Sequence, residues 1–340
     1  MRGLLHNFLF AAGAVAAIGM AAPSATAQTG ADFYKGKPVT YIVSTSPGGG
    51  YDLYGRLVAD FMQKYLPGST FVVKNLPGAG HLVGTNTIYA SKPDGLTIGT
   101  FNTGLIYNQL IGLDGVKFDL NRMSWIGKAA SDPRVFTMHP DLPIKTFKEL
   151  QAWKGEPINF STAGVGSAAY VETAILSKAL KLPVKIVTGY NGTEDSMAMR
   201  RGEVKGSIAS RSSWEQFVKN GYGRFIAQIG GTQKDLPQLA AQVSDPDAKA
   251  LIALVQSQGD IARLTAGPPD IPADRLAALR EAYKKAMQDP ELQAKAEKLE
   301  RPVDPAFGED VLRMVQAALN QTPETIALLK QAMSAKDNPK

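Results

Sequence analysis

Residues 46–52 read SPGGGYD: three consecutive glycines after a proline, closed by a tyrosine and an acid. The segment before them, KPVTYIVST (37–45), alternates Val39, Tyr41 and Val43 with Thr40, Ile42 and Ser44, a β-rich run. The segment after them, DLYGRLVADFMQKYL (52–66), places Leu53, Leu57, Val58, Phe61 and Leu66 at helical spacing, with Asp52 at the expected N-cap. The glycine loop is therefore expected to join the carboxyl end of a strand to the N-terminus of a helix.

The same unit recurs in outline. STFVVKN (69–75) reads as a strand, LPGAGHLVG (76–84) as a second Pro/Gly loop, TNTIYAS as helix, and LTIGTFN (96–102) as a third strand. MSWIGKAA and RVFTMHP read as two more strands. A second run follows: helix at 146–153, strand at 157–163, helix in VETAILSKAL, strand in PVKIVTGY, and short strands at 205–211 and 224–230. Residues 272–288 and 308–333 are helical by spacing. Alternation of strand and helix predicts an α/β fold with mainly parallel sheets. Ligands of open α/β sheets bind beyond the carboxyl ends of strands. Four such ends carry polar or glycine loops (46–52, 75–81, 100–104 and 162–168), in two separate halves of the chain. They predict one cleft lined from both sides by two α/β lobes.

The chain has 340 residues, 44% hydrophobic and 20% charged, a globular composition long enough for two domains. The net charge of +6 is interleaved, with no basic run of the nucleic-acid-binding kind, so no nucleic-acid partner is expected. Residues 8–22 are apolar and shorter than the ~20 of a spanning helix, and Ala25-Thr26-Ala27 follows as a cleavage signal. Residues 1–27 thus read as a secretory signal peptide and the mature chain as exported. Cysteine is absent, which removes disulfides, thiolate metal sites and cysteine catalysis.

Catalytic and cofactor motifs are weak. SPGGGYD lacks the lysine of a phosphate-binding P-loop. Gly164–Ala169 fits G-x-G-x-x-A, but Tyr190 and Asn191 stand where a dinucleotide site carries its acid. No G-x-S-x-G elbow and no metal-ligand spacing occurs, so neither cofactor nor metal is expected. His81 and His139 are the only histidines beyond the leader, and neither has an orienting acid nearby in sequence. In STAGVGSAA (161–169), Ser161, Thr162 and Ser167 flank two glycines where a strand becomes a helix. A helix N-terminus of this kind suits a carboxylate. Tight-turn glycines with capping hydroxyls fit the same pattern.

Five blocks in order carry a family resemblance: KPVTYIVSTSPGGGYDLYGRLVADFMQKYL, VVKNLPGAGHLVG, SKPDGLTIGT, FSTAGVGSAAYVE with VTGYNGTEDSMAMRRGEV, and LTAGPPDIPADRLAALREAYKKAM. Together they resemble the periplasmic solute-binding proteins of tripartite tricarboxylate transporters, the Bug family. The resemblance implies a two-lobe type II periplasmic-binding fold with a ligand cleft between the lobes. It divides the chain into first lobe (28–136), second lobe (137–256) and a helical return to the first (257–340). It implies capture of a small organic acid and its delivery to membrane permease subunits; separately, the mature chain is expected to be a monomer. A receptor feeding a signalling partner, or an exported hydrolase using His81 or Ser167, are the alternatives.

By matching positions, Ser46, Gly49, Tyr51 and Asp52 belong to a first ligand loop, Ala79, Gly80 and His81 to a second, and Thr100 and Thr103 to a third. Thr162, Gly166, Ser167 and Ala168 match the carboxylate site, Tyr190 and Gly192 an aromatic-x-glycine loop, and Asp195 the helix start after it. Three departures bear on the ligand. His81 replaces a usual glycine, Tyr170 stands where a histidine is frequent, and Ser210-Arg211 replaces an acid. Arg211 reads either as an answer to a second carboxylate or as a solvated helix-start arginine, and His81 either as a ligand group or as a loop tip facing water.

Overall fold

The computed structural model describes residues 30–333; the leader reading for 1–27 lies outside them. In chain order the first lobe contributes β1 (Pro38–Val43), α1 (Gly50–Lys64), β2 (Thr70–Asn75), α2 (Leu82–Tyr89), β3 (Thr97–Phe101), α3 (Gly104–Ile111) and β4 (Ser124–Lys128). The second lobe holds β5 (Arg134–Met138), α4 (Phe147–Ala152), β6 (Ile158–Thr162), α5 (Ala168–Ala179), β7 (Val184–Thr188), α6 (Glu194–Arg200), β8 (Gly206–Ser210), α7 (Arg211–Lys219), β9 (Arg224–Ile229) and α8 (Pro246–Asp260). The chain then returns as β10 (Leu264–Gly267), α9 (Ala273–Gln288), α10 (Pro290–Lys298), β11 (Ala306–Phe307), α11 (Gly308–Leu319) and α12 (Pro323–Met333).

Each lobe is one twisted sheet with helices on both faces. The first sheet has the order β11-β4-β10-β3-β1-β2 and the second β7-β6-β8-β5-β9. The expected βαβ units are present: β1 pairs in parallel with β2 and β3, and β6 with β7 and β8. The remaining pairings are antiparallel, so the sheets are mixed rather than mainly parallel. The reason is connectivity. β5 enters the second lobe and β10 re-enters the first, each wedged between strands that run the other way.

The cores follow from this layering. Tyr41, Val43, Leu57, Val58, Phe61, Ile126, Leu279 and Met287 pack on one face of the first sheet. Ile42, Ile88, Phe101, Leu105, Trp125, Leu264, Val311 and Val315 pack on the other. Leu57, Val58 and Phe61 are the helical stripe of α1, and each is under 7% exposed. Burying such a side chain is worth about 1.5–3 kcal/mol. The second lobe is built around Phe136, Phe147, Phe160, Val171, Ile175, Ile208, Ile252 and Val255.

The lobe boundaries differ from the sequence reading. Crossing takes place at residues 129–133 and 261–263, so β5 and α8 lie whole within the second lobe rather than being cut at 136 and 256. The return segment also does not stay with the first lobe. Leu329 and Ala332 of α12 join the second-lobe core, and Lys178 of α5 donates to the Gln331 carbonyl at 2.9 Å. α12 also packs on α3 of the first lobe, which makes it a strap across the two.

The two crossings are tied to each other. The Asp132 N–H donates to the Gly259 carbonyl (2.8 Å) and the Ala129 N–H to the Arg263 carbonyl (3.1 Å). Arg263 Nη2 lies 2.5 Å from Asp132 Oδ2, and both side chains are buried. Ser212 completes the knot: its hydroxyl and its N–H both donate to Asp132, at 2.6 and 3.1 Å. The Arg263 guanidinium also stacks 4.2 Å from the centre of the Tyr51 ring.

Candidate functional site

The loops at the strand ends meet between the lobes and line a half-open cavity of about 100 Å³. The first-lobe wall begins with SPGGGYD. Gly48 takes φ +87°, Gly49 is the N-cap in extended conformation, and α1 starts at Gly50. Asp52 is therefore the third helical residue, not the N-cap. Its carboxylate reaches back to accept the Gly48 N–H (2.9 Å) and also accepts from Asn75 Nδ2 (2.8 Å) and Arg56 Nε (3.1 Å). Burial opposes its charge, but bonds from Arg56, Gly48 and Asn75 win and hold its carboxyl below the usual range. Committed to these partners, Asp52 is outside the cavity lining, whereas Gly49 and Tyr51 are in it.

The second loop runs through four consecutive positive φ angles, from Gly78 to His81. The turn brings His81 inward, 5% exposed and lining the cavity, so it does not face water. Burial drives its imidazole down to about 4, leaving it neutral. Ala79 and Gly80 do not line the cavity; they set the turn. Gly80 lies so close to the second lobe that a Cβ there would come within 2.0 Å of the Val165 carbonyl.

In the third loop, Thr100 is buried within the first sheet. Thr103 also falls outside the lining, but its hydroxyl accepts from Arg134 Nη2 at 3.1 Å. Asn102 bridges the lobes: its Oδ1 accepts the N–H of Gly104 (2.8 Å) and that of Ala168 (2.9 Å). Asn108 Nδ2 donates across the same gap to the Gly166 carbonyl (2.9 Å).

From the second lobe, Thr162, Ser167, Ala168, Tyr190, Gly192 and Asp195 line the cavity. Ser167 is the N-cap of α5 and its hydroxyl accepts the Tyr170 N–H at 3.2 Å. With Ala168 bonded to Asn102 and Tyr170 to Ser167, Ala169 holds the remaining first-turn N–H, and it too lines the cavity. Gly166 serves the turn at φ +91°. Ser46 stays outside the lining and packs instead against Gly192. Arg211 points elsewhere: its guanidinium binds Asp235 through two bonds (2.9 and 2.6 Å) and Glu215 through Nε (2.9 Å). Those bonds, the ones to Asp235 foremost, raise its affinity for the proton and hold it outside the cleft.

Several lining groups were not named in the sequence reading. Arg134, 1% exposed, occupies the cavity wall with Nε 2.9 Å from Glu172 Oε1 and Nη1 2.5 Å from Ser210 Oγ. Burial works against both charges of the Arg134–Glu172 pair. Glu172 more than offsets this for Arg134, which stays cationic. Glu172 is itself pushed upward by burial, with Arg134 opposing. Trp214 and Ser213, in the first turn of α7, complete the wall.

The wall carries unmet polar capacity. Tyr51 Oη, His81 Nδ1 and Ser161 Oγ are buried and have no protein partner. An unsatisfied buried group costs about 1–3 kcal/mol. Three of them on one small cavity, beside the Ala169 N–H in the first turn of a helix, form a receptor for a small polar ligand. Asp195 is also held here, and burial lifts its carboxyl to about 7. Among the described residues no group of three or more acids and histidines has the arrangement of a metal site.

Comparison with known proteins agrees with this architecture. Residues 55–330 match the family described as the tripartite tricarboxylate transporter family receptor. A UPF0065 protein from the gbd 5′ region of Cupriavidus necator is 30% identical over 287 residues, covering 82% of this chain and 83% of that protein. The solved structure of the periplasmic binding protein BugD superposes with a TM-score of 0.74 at 22% identity, over 88% of this chain and 98% of that one. MatC from Rhodopseudomonas palustris, solved with bound malate, superposes with a TM-score of 0.71 at 18% identity, again over 88% of this chain and 99% of that one.

Proposed function

We propose that this chain, which belongs to the tripartite tricarboxylate transporter receptor family, captures a small carboxylate between its two lobes and delivers it to a membrane permease. The observation that carries the reading is the cavity wall. Tyr51 Oη and His81 Nδ1 from one lobe and Ser161 Oγ from the other are all buried without protein partners, next to the first turn of α5. A carboxylate accepts from the two hydroxyls, and from His81 in its Nδ1–H tautomer, and is favoured by the helix N-terminus by a further ~0.3–1 kcal/mol. That MatC is a malate complex supports the choice of ligand class.

The same geometry supplies a signal for the partner. The ligand touches both lobes, so it binds the closed arrangement better than an open one and shifts the population toward closure. A permease that reads lobe closure then distinguishes loaded from empty receptor. In this reading the leader is cleaved after Ala27 and the exported chain acts as a monomer in the periplasm.

A thermal-shift screen of the exported chain against small organic acids tests the proposal. A ligand that binds only the folded state stabilises it by about 2.7 kcal/mol at a hundred times its Kd. A rise in Tm with at least one carboxylate is expected. No rise with any acid, from a chain shown to be folded, contradicts it.

A further inference from the structure

The charges on the cavity wall do not match a ligand that is only an anion. Arg134 is the basic side chain of the lining, and Glu172 neutralises it at 2.8 Å. Its remaining bonds go to the hydroxyls of Ser210 and Thr103. Asp195 lines the same cavity, and among the described residues no basic side chain pairs with it. Its Oδ1 accepts the Ser196 N–H at 2.7 Å, and the neighbouring charge of Glu194, which has the same sign, pushes its carboxyl further up. Asp195 is half-buried, and a carboxylate partly withdrawn from water is favoured by a cation placed against it.

The rest of the wall suits a cation. Tyr190 and Trp214 bring aromatic rings to this cavity beside Tyr51, one face of which already stacks on Arg263, and aromatic faces attract ammonium groups. The opposite character gathers at the first turn of α5, where Ala169 offers an N–H and Ser167 caps the helix. The cavity thus has one place for an anion and one unanswered acid. A second carboxylate placed there would face Asp195 across a small cavity, where like charges repel.

We propose that the ligand is a zwitterion, a small amino acid whose carboxylate sits at the first turn of α5 and whose ammonium group lies against Asp195 within the aromatic wall. This rests on the reading of the cleft as a carboxylate site and narrows it. The ammonium supplies the countercharge that the protein does not.

The test is calorimetry on the exported chain at pH 7.5 with three matched series. The first holds amino acids, both α-amino and ω-amino; the second holds the corresponding acids without nitrogen; the third holds dicarboxylates of equal length. At least one amino acid is expected to bind tenfold or more tighter than its deaminated and dicarboxylate counterparts. Asp195→Asn, with its circular dichroism unchanged, is expected to erase that preference. If a dicarboxylate or a simple monocarboxylate binds as tightly as the best amino acid, the zwitterion proposal falls while carboxylate capture stands. If no acid of any series binds, both fall. The wild-type series decide the matter even if the Asp195 variant fails to fold.

Discussion

Gly49 of the first lobe lies backbone against backbone on Gly192 of the second: a Cβ on Gly49 would come within 2.9 Å of the Gly192 Cα and 3.1 Å of its carbonyl oxygen. The contact answers what the three glycines of SPGGGYD are for. Side chains are kept out of the seam so that the lobes can close over the cavity that Gly49, Tyr51 and Gly192 line.

Gly49→Val is expected to block closure without unfolding either lobe. The residue is extended and not in the left-handed region, so the obstacle is the opposing backbone and not its own conformation. Ligand affinity is predicted to fall at least tenfold, about 1.4 kcal/mol, with an unchanged far-ultraviolet circular dichroism spectrum. Wild-type affinity in this variant would place the seam outside the closure mechanism.

Ser167→Ala should cost about 1 kcal/mol of stability, the loss of an N-cap. The hydroxyl is 1% exposed and committed to the Tyr170 N–H. Affinity should fall as well, because the cap fixes the turn that presents the Ala169 N–H. Chemical denaturation with calorimetry separates the two effects, and a variant with unchanged stability would show that the cap contributes nothing.

His81 predicts a pH dependence of folding. Its folded-state value of about 4 lies below its ordinary 6.5 because burial disfavours the charged ring. The unfolded chain therefore binds the proton first. Stability is full above pH 6.5 and is lost as the pH falls toward 4, by at most ~3 kcal/mol. His81→Asn, a residue that tolerates the left-handed backbone found here (φ +80°), should remove that part of the slope. Equal slopes in urea titrations of the two proteins between pH 7 and 4 would contradict the assignment.

The Asp132–Arg263 pair at the lobe crossings should behave as a buried ion pair. Removing one partner, as in Asp132→Ala, is expected to cost about 3–5 kcal/mol because the other charge is left uncompensated. Asp132→Ala with Arg263→Met should recover part of the loss. A double variant that sums the two single losses would mean that the residues do not act as a pair.

How much of this was legible in the sequence depended on the range of the interaction. The β1–loop–α1 unit could be read because alternation and helical period are local, and the predicted loops did converge between two lobes. The cap was misplaced by a few residues because glycines carry no side-chain signature: Gly49 holds the position given to Asp52. β10 was missed because it is four residues long and gains its central place only from the chain's return to the first sheet. Its antiparallel neighbours are what make that sheet mixed. Arg134 and Glu172 stand 38 residues apart and meet only in the folded protein. A lone acid among the apolar residues of VETAIL was the one hint. Arg211 was a fair candidate by chemistry, but Asp235, 24 residues later, claims it. Helix α8 was not read, although its start carries a local signal: Asp245 accepts the Ala248 N–H at 2.9 Å and Pro246 follows it.

The central claim is that the cleft recognises a carboxylate, and the most direct measurement is a calorimetric titration that compares the acid found to bind with its own carboxamide. The two differ by one charge and almost nothing in shape. The account predicts one site per chain for the acid and at least a tenfold loss for the amide, since the first turn of α5 favours the anion. Equal affinity for acid and amide, or saturable binding of the amide alone, would contradict it.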